Sequence, residues 1–474
     1  MASAIGIAIG TGNIWRFPRI AATNGGGVFI FLWMVFLFLW SIPLLFAESS
    51  LGRITRRGTL DSFALLMGKR GIWMGGFVAL STTGIMCYYS VVTGWCLKYL
   101  TASIMGTVNA RIGPDYWYAF AGSAEAEAFH LASAILAGTI VFLGIRVGIE
   151  YTSRLFVPIL GVILLYSAIR ALILPGALNG VRYLFHFDPS DFAHPRVYLE
   201  ALSQSAWSTG AGWGLLLTYS IYSRSKEPIV GNSLIMAIVN NMASILAALA
   251  IIPTVFAVFP VEEAQQVVQA TGESNTGFCF IWIPTLLGGD KGGQYMLVFF
   301  FLALTLAAIT SLIAMIEMVV RNLIDLGLNR TKATIAVTFF IALCGSPSAL
   351  NSAFFDNQDW VWGLGLLING LFFTFVVRHY GVRRFREQVI NIPDSKDIKL
   401  GIIFEPLILW IIPIQFVLLI GWWFYQSLTW DPINWWNPAS TFSIGTCLFQ
   451  WGFAAVLVII LGSYLDSKLK KSTE

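Results

Sequence analysis

The chain has 474 residues, 57% of them hydrophobic and only 11% charged, with 18 Trp, 36 Phe and a net charge of +4. Soluble globular chains carry about 25% charged residues, so the composition excludes an ordinary soluble domain and predicts a polytopic membrane protein. The slight positive balance comes with no DNA- or RNA-binding motif and excludes a nucleic-acid partner.

About twelve apolar stretches follow one another, each near the roughly 20 residues that crossing a bilayer requires. They cover 1–23, 27–52, 72–105, 128–145, 152–175, 196–222, 228–259, 293–326, 332–347, 358–378, 404–426 and 441–464. A single transmembrane domain over 1–474 uses nearly everything, with the lipid bilayer as its solvent. The opening residues read as the first span, not as a cleavable signal peptide, because no basic segment precedes them. Met1 stands only a few residues before the first glycine cluster, so the first half of that span is unusually short.

Positive charge sorts to one side. Arg53, Arg56, Arg57, Lys69 and Arg70 follow span two; Arg146, Arg154, Arg224, Lys226, Arg330, Lys332, Arg378, Arg383, Arg384, Arg386, Lys396 and Lys399 fall in later loops of the same side, as do Lys468, Lys470 and Lys471. The opposite loops hold Arg111, Arg182, Arg196 and Lys291. By the positive-inside rule both termini are cytoplasmic, in a cell inner membrane.

Enzyme chemistry finds no support. Cys87, Cys96, Cys279, Cys344 and Cys447 lack metal-ligand spacing and read as free thiols in spans. His130, His186, His194 and His379 lie in or near loops and do not cluster. No nucleophile motif is present.

Two spans are interrupted. Gly6 to Asn13 in span one, and Gln204 to Gly214 in span six, set glycines and polar side chains at membrane depth. Unpaired backbone groups are tolerated there only inside protein or against a watery cavity. Paired broken helices in corresponding positions point to a midplane site for ions and a zwitterion, hence to a secondary carrier. Their separation by five spans predicts an inverted repeat of 1–175 (spans one to five) and 196–379 (spans six to ten), with 404–464 (spans eleven and twelve) added.

Six stretches together resemble the neurotransmitter:sodium symporters, which include the bacterial leucine-transporter-like amino acid carriers. They are Gly10 to Pro18 (GTGNIWRFP), Asn24 to Gly27, Cys87 to Tyr89, Gln204 to Gly214, Ala307 to Ser311 and Asp356 to Asp359. The resemblance runs nearly the whole length. It implies an all-α bundle of twelve transmembrane helices, with helices one and six broken, working by alternating access.

The resemblance also implies two sodium sites. One would use carbonyls of Gly6 and Ile9 with Ala307, Thr310 and Ser311; the other would use Ala8, Asn13, Ser208 and Asn240, chosen over the adjacent Asn241. Chloride-dependent members carry a serine on span seven, here Ser244, with Gln204 and Ser208 beside it. Their span-two tyrosine is replaced by Trp33, whose indole N–H also donates, and chloride is left open.

The family's substrate site maps onto Thr11 and Gly12 amides at a half-helix N-terminus, a natural carboxylate site, with the Tyr89 hydroxyl beside them. Ala8, Trp207 and Ser208 carbonyls would take the ammonium group. Ile85, Trp207, Gly210, Trp213, Ser311 and Met315 would line the side-chain pocket. Amine-carrying members have an aspartate where this chain has Gly10, so a small neutral amino acid, hydrophobic or aromatic, is expected. Arg16 and Asp359 match the outer gate, under a lid whose usual phenylalanine is Trp207. Tyr222 and Asp325 match the inner gate, whose arginine would lie before Met1. Glu48 and Glu317 have no charged partner evident in sequence; Glu48 is expected to brace the broken helices. A channel would need a continuous polar pore, which single breaks per half do not suggest. A transport-inactive sensor or scaffold of the same fold stands as the second reading, and oligomeric state is not legible.

Overall fold

The computed structural model describes residues 5–6, 8–109, 114–269, 278–284, 291–393 and 395–471, and every element among them is helical. Arg111, expected in an outer loop, lies outside the described residues. Among the described residues, ten helices are long and apolar enough to cross a membrane: Gly27–Thr55, Thr59–Ile104, Ala124–Phe142, Ile145–Leu172, Val230–Val258, Gly292–Asp325, Arg330–Leu350, Ser352–Tyr380, Phe404–Trp430 and Ile444–Gly462. They correspond in order to spans two to five and seven to twelve. The two expected stretches missing from that set are spans one and six, the two that are interrupted. Span three is longer than its apolar run suggested. The helix Thr59–Met67 leads into it, and the exposed Lys69 and Arg70 sit on a single 3-10 turn between the pieces.

Span three forms the axis, packing lengthwise on span eight and against spans four, ten and twelve. Aromatic side chains fill its outer end, where Trp117 stacks on Phe280 at 4.9 Å and Trp95 meets Trp117 edge-on at 5.0 Å. Span two lies against the second piece of span six, Leu215–Ser220. The approach is close enough that a Cβ on Gly52 would overlap the Leu217 carbonyl.

The loops carrying the positive charge meet on one face. Arg53 Nη1 donates to the Glu227 carbonyl at 2.9 Å, and its other nitrogen reaches the Val389 carbonyl. Arg56 Nη1 donates to the Ile221 carbonyl at 2.5 Å and also to that of Ser223. Asp397 accepts from the amides of Ile229, Val230 and Gly231 at 2.6, 2.8 and 2.9 Å, satisfying the free N–H groups where span seven begins.

Two expectations need correcting. His130 is not near a loop: it is buried within span four, with Nδ1 3.1 Å from Ser90 Oγ and Nε2 3.3 Å from the Ala342 carbonyl. Glu317 does have a charged partner. Arg330 grips it from the start of span nine, Nη1 to Oε1 at 3.0 Å and Nη2 to Oε2 at 2.6 Å. Thirteen residues separate the two, across a turn, so helical spacing could not reveal the pair. All five cysteines are free thiols.

Candidate functional site

Both interruptions are present. In span one the regular ladder stops at Ile9: Gly10 N–H turns back to the Ala8 carbonyl at 3.0 Å and also donates to Asn13 Oδ1 at 3.0 Å. The chain resumes as a π-helical turn, Gly12–Arg16, and then as the α-helix Phe17–Thr23, which opens with Pro18 near its first position. Proline suits that position, where its missing N–H costs nothing. In span six the helix Pro195–Ser208 ends, and Gly210, Gly212 and Gly214 take φ of +69°, +90° and +76° before Leu215–Ser220 begins. Only glycine adopts that conformation without strain. The fully buried Glu48 of span two accepts the Gly212 N–H, closing one backbone group that the break would otherwise orphan.

Between the breaks lies a cavity of about 340 Å³. Ala8, Thr11, Gly12, Tyr89, Trp207, Ser208, Gly210, Trp213, Ser311 and Met315 all line it. Ile85 does not: it is fully buried outside the lining. Tyr89 ties span three to the first break, its hydroxyl accepting from Thr11 N at 3.3 Å and standing 3.1 Å from Thr11 Oγ1. Trp207 and Trp213 meet edge-to-face at 6.0 Å. Gly10 faces Ser311 Oγ and Tyr89 OH, leaving no acidic group on this wall.

Asn13, Ala8, Ser208 and Asn240 converge. Asn13 Nδ2 donates to Asn240 Oδ1 at 2.8 Å, to the Asn240 carbonyl at 3.2 Å and to Ser244 Oγ at 2.8 Å. The same Asn240 amide atom stands 2.8 Å from the Ala8 carbonyl oxygen and 2.9 Å from that of Ser208. An oxygen there accepts from Asn13 but faces two carbonyls; a nitrogen serves the carbonyls but faces Asn13. Neither orientation satisfies the vertex. Asn241 instead donates nothing through its buried Nδ2. At the second cluster, Gly6 packs against Thr310, whose Oγ1 donates to the Leu306 and Ala307 carbonyls at 3.1 and 3.0 Å. Ser311 Oγ is buried and makes no hydrogen bond. Ile9 is buried beside its broken turn.

The sequence pattern of the sodium:neurotransmitter symporter family matches residues 1–117 and 120–470. The chain belongs to that family. It is 30% identical over 353 residues to a sodium-dependent transporter of Methanocaldococcus jannaschii, covering 71% of this chain and 70% of that one. It is 27% identical over 449 residues to the sodium-dependent serotonin transporter of Drosophila melanogaster, covering 83% and 70%. Among solved structures it resembles MhsT in complex with L-phenylalanine, with a TM-score of 0.73 and 26% identity over 88% of this chain and 96% of that one. This chain is accordingly a sodium-dependent membrane transporter, not an enzyme.

Other positions of this symporter complete the site. Trp33 Nε1 and both amide atoms of Gln204 are buried without hydrogen bonds. Arg16 and Asp359 line the cavity without forming an ion pair with each other. Arg16 instead lies over the Trp207 ring, 5.5 Å from its centroid, and donates to Ser203 Oγ at 3.4 Å. On the face bearing the basic loops, Tyr222 donates to Glu317 at 2.9 Å, and Asp325 takes Arg321 at 2.5 Å and the Gly58 N–H at 2.5 Å. Sequence reasoning missed Arg321 and Arg330. Arg321 stands four residues before Asp325, a spacing that pairs charges on a helix, so that one was within reach.

Proposed function

We propose that the chain carries a neutral amino acid with a hydrophobic or aromatic side chain, together with sodium, by alternating access. The carrying observation is the Thr11–Tyr89 contact at the mouth of a half-helix, opposite Trp207 and Trp213 and beside an acid-free Gly10. Amides at a helix start favour a carboxylate, and the apolar wall favours an uncharged side chain. The phenylalanine bound to the structurally similar MhsT supports the same class.

Two sodium ions fit the two clusters. A cation at the Asn240 vertex turns three facing oxygens from a conflict into a ligand set, with Asn13 and Ser208 beside it. Hard cations of this kind are held by carbonyl and amide oxygens. Thr310, Ser311 and the carbonyls of Gly6, Ile9 and Ala307 form the other set. Two sodium ions moving with a net-neutral amino acid gain about 4.6 kcal/mol per 100 mV, more than three decades of accumulation. Chloride is the second reading for one detail. Trp33 Nε1 and the Gln204 amide are buried and unpaired and would supply donors together with Ser208 and Ser244, and a co-carried anion would halve that electrical gain. Replacing chloride with gluconate reads this directly as lost uptake.

Spans one, two, six and seven would rock against the rest, with the two halves of the repeat sharing the site. Arg16 and Asp359 would close above it; Tyr222 and Asp325 would close below, their positive partners being Arg330, through Glu317, and Arg321. The face bearing the basic loops is then cytoplasmic, as are both termini.

A panel of amino acids, tested with and without sodium for thermal stabilisation and for uptake into proteoliposomes, tests this reading. Stabilisation by aromatic or branched neutral residues only when sodium is present is the expected result. Binding without any uptake would instead select the sensor or scaffold reading, and stabilisation by amines but not amino acids would overturn the substrate class. Tyr89→Phe is expected to weaken amino acid binding about 10-fold, the value of one lost hydrogen bond to a charged group. Unchanged affinity in that variant would remove Tyr89 from the site.

A further inference from the structure

Trp207 is held on three sides. The Arg16 guanidinium covers its face, the edge-to-face Trp213 bounds its inner side, and span ten lies against its outer rim. That rim meets Gly363, one helical turn beyond Asp359. A Cβ built on Gly363 would fall 2.7 Å from Trp207 Cη2 and closer still to Cζ2. Carbon atoms at rest stand about 3.5–4.0 Å apart, so the indole and a side chain at 363 exclude one another. Gly363 has no unusual backbone conformation within its helix, Ser352–Tyr380. Its smallness therefore serves the neighbour, not the turn.

We propose that Gly363 is a specificity-determining position: it is a notch that seats the outer edge of the Trp207 indole and so keeps the space beneath that ring open to a bulky substrate side chain. The inference rests on the neutral amino acid reading above and adds the residue that sets the size limit. A methyl group at 363 displaces the far end of a side chain rather than backbone, so the fold survives and the ring moves. Arg16 and Trp213 block two directions, which leaves the cavity as the way the ring gives. A large substrate side chain then loses its room, while a small one does not. The atoms in conflict, Cζ2 and Cη2, belong to the second ring of tryptophan and are absent from phenylalanine, so Trp207→Phe relieves the conflict by its chemistry.

The test is a cycle of four proteins: wild type, Gly363→Ala, Trp207→Phe and the double variant. Each is titrated with L-phenylalanine and L-alanine in sodium and read by thermal midpoint. Gly363→Ala is expected to weaken phenylalanine at least about 10-fold, the usual reach of one methylene in a binding pocket, and alanine by less than about 3-fold. In the double variant both affinities return to within about 2-fold of Trp207→Phe alone. Equal losses for the two amino acids, or a loss that persists without the indole, overturn the proposal. Failure of the substrate class itself is separate, since it shows as a wild type that answers to neither amino acid. The notch is then read in sodium alone, where Gly363→Ala lowers the midpoint by about 2 °C beside Trp207 and not beside Phe; equal shifts in both backgrounds overturn it.

Discussion

An Asn13→Ala variant is expected to lose its response to sodium altogether. Asn13 is fully buried, and its amide is the hub of the Asn240 cluster: it accepts from Gly10 N and donates to Asn240 and to Ser244. Alanine removes the oxygen proposed as a sodium ligand and also unlinks the first break from span seven. The orphaned partners cost about 1–3 kcal/mol of stability, which a sodium-free thermal midpoint measures separately. Coupling is the larger loss, because one sodium ion no longer carried forfeits about 2.3 kcal/mol per 100 mV. Thr310→Val should do the same at the other cluster, keeping shape while deleting the hydroxyl that leans on Leu306 and Ala307. Sodium titrations of thermal stability and of uptake check both. A sodium response that stays at its wild-type midpoint in both variants would refute the two ion assignments.

Glu48→Ala is the second large effect, and it acts on the fold. The carboxylate sits fully buried in span two, bonded to the Gly212 N–H, with the amides of Gly214, Leu216 and Leu217 around it. These are the donors that a broken helix leaves without internal partners. Removing the carboxylate leaves the buried Gly212 N–H unpaired, at about 1–3 kcal/mol. A loss of about 1–3 kcal/mol follows, enough to lower expression and thermal midpoint together. Glu48→Gln keeps the volume but points an amide nitrogen toward donors, so it restores little. Should Glu48→Gln match the wild type in midpoint and uptake, the brace needs no carboxylate and this account of the break is wrong.

The interruptions themselves were legible. Glycine spacing inside an apolar run signals a place where backbone cannot stay helical, and both predicted breaks are where the chain leaves the helix. The convergence of Asn13 with Asn240 across 227 residues followed only from resemblance; Asn13 bonds Asn240, which in turn bonds Asn241. Other features left no trace. Arg330 reaches Glu317 around a turn, at a separation that no helical period marks. Gly363 looks like any small residue in a packed span, and its meaning exists only because Trp207 arrives against it from a helix more than 150 residues earlier. Ile85 sits four residues before Tyr89, one helical turn away. Tyr89 nonetheless lines the cavity while Ile85 lies buried behind it.

Local chemistry therefore settled what sequence can settle. Composition dictated the bilayer, and glycine clusters dictated where helices must fail. Each depends on a residue and its near neighbours. Which exposed carbonyl faces which amide, which arginine answers which buried acid, and how far a tryptophan can lean were decided only by packing. These are distances between segments remote in the chain, and they depend on how whole helices approach and rotate, which no local pattern encodes.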